Sequence, residues 1–193
     1  MSPSVEASQS LEQQKARLRN QLREKLSRLR PEERLRRSEK ILERLYRHPS
    51  FLKARTLLIY LALPAEVQTW PLVDEARKKG KKVYAPRVDP EKKRIWMIEV
   101  TDPEKLGPGF RGILEPPFDQ TRIGDPKDLD LAIVPGLGFD RDGGRLGRGE
   151  GYFDRFLQEA RRSYKIGLAF ECQIIEKIPR TSHDVVMDEV LMG

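Results

Sequence analysis

The run "TLLIYLA", Thr56 to Ala62, is apolar at nearly every position and partly β-branched, with no alternation of apolar and polar side chains. A strand that buries one face alternates, whereas a strand covered on both faces does not need to. The run therefore predicts a strand inside a parallel sheet with helices on both sides. Downstream, Thr69 can cap a helix with Pro71 in its first turn, and Gly80 after "RKK" supplies its stop. "KKVYAP" then reads as the next strand, which completes a βαβ unit. "VDPEKKRIWMIEV" reads as a turn at Asp89 to Lys92 entering a strand through Ile95, Met97 and Ile98, a hairpin-like addition to the sheet.

Upstream, leucines at 11, 18, 22, 26 and 29 recur at helical spacing, predicting an amphipathic helix over 11–29. Pro31, with Glu32 and Glu33 beside the positive helix end, starts a second helix running to about Arg47 and carrying Leu35, Ile41, Leu42 and Leu45 inward. "HPS" at 48–50 breaks it. Residues 1–10, "MSPSVEASQS", read as a flexible tail without the charged start and apolar block of a secretory signal. Residues 101–128 are rich in Pro and Gly and read as a structured loop crossing a site. "LDLAIVPG" is another buried strand, followed by a glycine-rich loop, a helix from about Gly151 to Arg161, the strand "YKIGLAF" and a last extended segment near "VVMDEVLM". The expected fold is α/β: one Rossmann-like, three-layer domain over 11–193, with a mostly parallel sheet flanked by helices.

The chain has 193 residues, is 35% charged and carries a formal net charge of +7, which suits an anionic partner without naming it. Cys172 is the sole cysteine, which excludes an intramolecular disulfide and a cysteine zinc cluster and fits a reducing cytoplasm. No apolar run approaches the roughly 20 residues of a membrane-spanning helix. The Arg-rich N-terminal helix raises a nucleic-acid-binding module as a rival, but the positive residues are spread along the chain and no DNA- or RNA-reading motif is present.

The loop carries the chemistry. "VPGLGFDRDGGRLGRGEGYFDRFL", Val134 to Leu157, places seven glycines in eighteen residues between a buried strand and a helix. Bare backbone N–H groups and a helix N-terminus both attract anions, and parallel sheets place ligands beyond the carboxyl ends of their strands. The loop is neither of two common phosphate fingerprints, since "GGRL" lacks Gly-Lys-Ser/Thr and "GRGEGY" is Gly-x-Gly-x-Gly. Arg145 and Arg148 add planar donors for phosphate oxygens, and Asp154, one turn into the helix, could hold magnesium against them. That set implies a nucleoside triphosphate; the other reading is a mobile surface loop with solvated arginines.

The same stretch resembles the signature of the 5-formyltetrahydrofolate cyclo-ligase (5,10-methenyltetrahydrofolate synthetase) family. The resemblance extends through "KARLR", "YLALPAEVQT", "YAPRV" and "HDVVMDEVL", from about Lys15 to Leu191 in family order. It implies an enzyme that uses ATP and Mg2+ to convert 5-formyltetrahydrofolate, polyglutamylated or not, to 5,10-methenyltetrahydrofolate, acting as a cytoplasmic monomer without nucleic acid or membrane. By the same resemblance Lys15 and Arg19 contact ATP, together with Arg145, Leu146, Gly147, Arg148, Gly149, Glu150, Gly151, Tyr152 and Phe153. Leu61 and Glu66 contact the folate, as do Arg148, Gly149, Gly151 and Tyr152. Arg145, Arg148 and Tyr152 are the expected catalytic residues, and Asp154 and Asp188 the expected magnesium ligands. Asp184 and Glu189 stand close enough to compete with Asp188. In a strand, Asp184 and Asp188 would share a face.

Two departures from the family pattern stand out. Glu150 puts a carboxylate among phosphate-binding amides and is expected to face solvent or pair with Arg148. Phe153 occupies a position often held by Tyr. Trp96, Phe110 and Phe118 could stack on substrate rings or pack in the core, and His183 with Asp184 could form an acid/base pair or serve only the local turn. An ATP-dependent enzyme with a non-folate substrate remains open on the same scaffold.

Overall fold

In a computed structural model, which describes residues 3–193 and side chains from Ser10 onward, six strands form one sheet. The chain enters through α1 (Pro3–Ser27), α2 (Pro31–Tyr46) and the short α3 (Pro49–Lys53), then β1 (Thr56–Ile59). Helix α4 (Trp70–Lys78) leads to β2 (Lys82–Asp89), which turns back as β3 (Arg94–Glu99). After β4 (Gly107–Pro108) and β5 (Leu114–Glu115) come β6 (Leu131–Val134), β7 (Gly138–Asp140), β8 (Arg145–Leu146) and α5 (Tyr152–Glu159). Strands β9 (Tyr164–Ala169), β10 (Ile174–Ile175) and β11 (Glu189–Met192) complete the chain.

The main sheet runs β11-β9-β6-β1-β2-β3, parallel except for the β2–β3 hairpin. Its interior strands are buried on both faces, as their unbroken apolar sequence requires, and the two faces separate by alternate residues. Leu57, Ile59, Leu131, Ile133 and Ile166 pack with α2, α3 and α4, while Leu58, Ala132 and Val134 pack with Phe156, Leu157 and Ala160 of and after α5. Each of the Leu, Ile, Val and Phe side chains contributes roughly 1.5–3 kcal/mol on burial. A one-residue slip of β1 against β6 would exchange the two sets, so packing fixes the register Leu57↔Leu131.

Several expectations change in detail. Helix α1 begins at Pro3, so residues 3–10 are helical where the sequence suggested a tail and a start at Leu11. Leu35 is 55% exposed rather than inward, because α2 buries only the stripe Ser38, Ile41, Leu42 and Leu45. His48 does not merely break α2; its ring accepts from the Ser50 N–H and caps α3. Thr69 does not cap α4: its buried hydroxyl donates instead to the Tyr60 carbonyl, 2.5 Å away, satisfying a backbone acceptor that β1 leaves free after Ile59. Gly80 does end α4, with φ 70° and N–H bonds to the final turn from Gly80 and Lys81.

Candidate functional site

From β1 the chain builds outward through β2 and β3, and from β6 it builds the other way through β9 and β11, so the strand order reverses between β1 and β6. A doubly wound sheet opens a crevice at that point, beyond the carboxyl ends of its strands. There a cleft of about 250 Å3 opens between Tyr60 and Leu61 after β1 and Pro135 and Gly136 after β6. Three sequence-distant pieces close around it: α1, the segment around Phe110, and the loop from Arg145 to α5.

Arg145 lies on β8 with its side chain only 4% exposed. One guanidinium nitrogen donates to the Pro135 carbonyl at 3.2 Å and another to Asp154 Oδ2 at 2.7 Å, so it ties the end of β6 to the first turn of α5. Its Nε is buried without a partner among the described residues. Asp154 also accepts from the Val185 N–H at 3.2 Å. Gly147 accepts from Arg19 Nε at 3.1 Å through its carbonyl. Gly149 and Gly151 adopt φ 113° and 66°, where side chains are strained, and Gly151 turns the chain into α5.

The cleft is compensated in charge. Lys15 meets Asp184 at 2.7 Å, Arg145 meets Asp154 at 2.7 Å, and Arg148 meets Glu66 at 2.8 Å. Arg19 lies 3.7 Å from Glu12, and Arg111 pairs with Glu150. Burial pushes the Asp184 carboxyl up, but the Lys15 ammonium and the Thr181 donors outweigh it and hold it below the usual carboxylate range. Solvent-facing pairs such as Arg148–Glu66 hold about 0–1 kcal/mol each, so an incoming anion can displace the carboxylate and take the guanidinium. The cleft also has apolar lining: Leu61, Pro86, Val88, Ile95 and Ile113, with the rings of Phe110 and Tyr152. Glu66 accepts from the Leu63 N–H at 3.0 Å, which fixes its carboxylate.

Every anticipated site residue but one lines this cleft: Lys15, Arg19, Leu61, Glu66, Arg145, Leu146, Gly147, Arg148, Gly149, Glu150, Gly151, Tyr152, Phe153 and Asp154. Asp188 does not. It sits just before β11, accepting from the Lys165 N–H at 2.7 Å at the amino end of the sheet. The segment 184–188 is not a strand, so Asp184 and Asp188 do not share a face; it runs from the cleft to the far end of the sheet, leaving Asp184 beside Asp154. Glu150 neither faces open solvent nor pairs with Arg148; it pairs with Arg111 across the cleft mouth. His183 is exposed, and the Asp184 side chain is bound to Lys15 and Thr181 instead of to it. Phe110 joins the site, whereas Trp96 and Phe118 form an edge-to-face pair away from the cleft.

Sequence reasoning passed over Glu12, Arg111 and Glu115. Glu115 is buried in the wall, accepting from the Val88 and Phe110 N–H groups. A carboxylate in "GILEPP" carries no periodic or spacing signal. Its role depends on a β4–β5 pairing that brings Gly107 opposite Glu115.

The fold and site define a doubly wound α/β protein with a charge-paired cleft at its switch point. The family model described as the 5-formyltetrahydrofolate cyclo-ligase family matches residues 11–193. A mouse 5-formyltetrahydrofolate cyclo-ligase is 34% identical over 90% of this chain and 91% of its own length. The Escherichia coli K12 protein of that name is 28% identical over 88% and 95%. The NMR structure of Aquifex aeolicus 5,10-methenyltetrahydrofolate synthetase superposes with a TM-score of 0.80 at 36% identity, covering 92% of this chain and 89% of that one. The chain belongs to the 5-formyltetrahydrofolate cyclo-ligase family and is an enzyme of folate one-carbon chemistry.

Proposed function

We propose that this protein converts 5-formyltetrahydrofolate to 5,10-methenyltetrahydrofolate at the expense of ATP, releasing ADP and phosphate. The observation that carries this reading is the mixed lining of one cleft. Lys15, Arg19, Arg145 and Arg148 with the loop glycines suit phosphates, while apolar side chains with the rings of Phe110 and Tyr152 suit a ring system, and Glu66 is held there by Arg148 at 2.8 Å. A formamide oxygen is a poor leaving group. Its attack on the γ-phosphorus breaks the bond to ADP and yields a phosphorylated, imidate-like carbon. The second nitrogen of the pterin side chain then attacks that carbon and loses its proton; departure of phosphate leaves the methenyl bridge. Such a reaction asks the protein for position and charge neutralisation rather than a nucleophile. Arg145 and Arg148 supply planar donors to the transferring oxygens, Lys15 and Arg19 reach the phosphates from α1, and Glu66 accepts from the donor-rich pterin.

Asp154 and Asp184 fit a magnesium ion better than Asp154 with Asp188. Both line the cleft, whereas Asp188 does not. One or two carboxylates with phosphates and waters is the usual Mg2+ set. When bound, Mg2+ would neutralise phosphate charge. Until then Arg145 and Lys15 hold the two carboxylates in place. We also read the protein as a cytoplasmic monomer; its one half-buried free cysteine suits a reducing compartment.

The test mixes protein, 5-formyltetrahydrofolate, ATP and Mg2+ and follows the ultraviolet absorbance of the methenyl product. Product is expected only with all components, and its absence overturns the reading. ATP hydrolysis indifferent to folate would point instead to a different acceptor.

A further inference from the structure

Glu150 is the acidic residue inside a loop that should welcome anions, and the structure gives it a partner from the other wall. It stands between Gly149 and Gly151, whose left-handed backbones throw it across the cleft mouth to the Arg111 guanidinium. Arg111, itself at φ 55°, belongs to a short segment whose shape is set from beneath: Gly109 N–H donates to the Ile113 carbonyl at 2.8 Å, and Phe110 N–H donates to buried Glu115 at 3.3 Å. The neighbours of the ion pair are aromatic. Phe110 meets Tyr152 edge to face, centroids 5.7 Å apart, and both rings line the cleft. Arg155 backs the Tyr152 ring at 5.1 Å and donates to the Glu150 carbonyl at 3.0 Å and the Lys93 carbonyl at 2.8 Å.

The loop side is therefore anchored by Arg155 and the Phe110 side by Glu115. Arg111 and Glu150 join the two anchored halves by a direct ion pair at the cleft mouth. We propose that Arg111 and Glu150 are positioning residues: as a clasp, they hold Phe110 and Tyr152 together as one aromatic wall against the ring system of the folate substrate. The idea rests on the cyclo-ligase reading above. It gives the carboxylate in the glycine loop a task that does not involve the phosphates. The pair is half exposed, with side chains 62% and 32% accessible, so it contributes little to global stability.

The experiment has two arms. In the first, the apparent KM for 5-formyltetrahydrofolate is measured for Arg111→Met, Glu150→Gln, the double variant and Arg111→Lys. Each single neutral variant is expected to raise KM about fivefold, the most that one exposed pair can hold. The double variant should be no worse than either single, and Arg111→Lys, which keeps the charge, should stay near wild type. In the second arm, amide hydrogen exchange over residues 107–115 is measured on the protein alone; it should quicken in both neutral variants and not in Arg111→Lys. Unchanged exchange, or single effects on KM that multiply in the double variant, overturns the clasp. A wild-type protein that makes no methenyl product breaks the functional reading instead and leaves the exchange arm to decide the clasp.

Discussion

The glycine loop is two regions with opposite uses of the same residue. In residues 136–144 glycine is present because something else is already there. A Cβ on Gly136 would lie 2.6 Å from the Phe139 ring, and one on Gly138 would lie 2.5 Å from Leu22. In residues 147–151 the neighbours are arginine side-chain ends, which can move: a Cβ on Gly147 would lie 2.9 Å from Arg145 and one on Gly151 3.0 Å from Arg155. The nearest atom to a Cβ on Gly149 is the Arg19 guanidinium carbon at 3.4 Å, and what the position demands is its φ of 113°. The first half brings β7 down onto the core and α1. The second lines the cleft. One composition thus serves packing and the cleft, and the boundary between them is Arg145, buried and tied to both sides.

That division can be broken at its boundary or sharpened on either side. Arg145→Met should have the largest effect: it leaves Asp154 without its buried partner, an arrangement that costs about 3–5 kcal/mol. Chemical denaturation should register the loss, and turnover should disappear with it. Gly138→Ala comes next, at about 1–3 kcal/mol from overpacking against Leu22 and the Gln173 carbonyl, with KM for both substrates unchanged in the folded fraction. Equal damage to KM would contradict a purely packing role. Gly149→Ala is expected to cost only about 1–2 kcal/mol through left-handed backbone strain, yet to lower kcat/KM more than Gly138→Ala does.

The smallest effect concerns acid. Asp184 has its carboxyl held below the usual range in the folded protein, so it binds a proton more readily when unfolded. Its contribution to stability is therefore present above the ordinary carboxylate value and is lost as the pH falls through the lower, folded one. Asp184→Asn should flatten the acid limb of a stability-against-pH curve, and an unchanged limb would show that Lys15 does not hold this carboxylate in solution.

The sheet was legible because burial on both faces leaves an unmistakable mark: "TLLIYLA" and "LDLAIVPG" lack alternation and do become β1 and β6 at the centre of the sheet. The hairpin and the Gly80 stop were equally readable, since both rest on local backbone preferences. What failed was long-range. Thr69 resembles a cap in sequence and is drawn away by a carbonyl nine residues back. Asp188 and Asp184 are four positions apart and indistinguishable by chemistry. Only the path of the chain along the sheet assigns one to the cleft and the other to Lys165. Arg111 lies in a segment whose shape depends on the buried Glu115, a contact that no spacing rule reports.

Lys15 and Asp184 are 169 positions apart and meet at 2.7 Å. During vectorial synthesis on the ribosome, α1 emerges first and its basic face must wait for nearly the whole chain before the cleft can take its final shape. Until then Lys15 lacks this counterion, and the cleft lacks one of its walls.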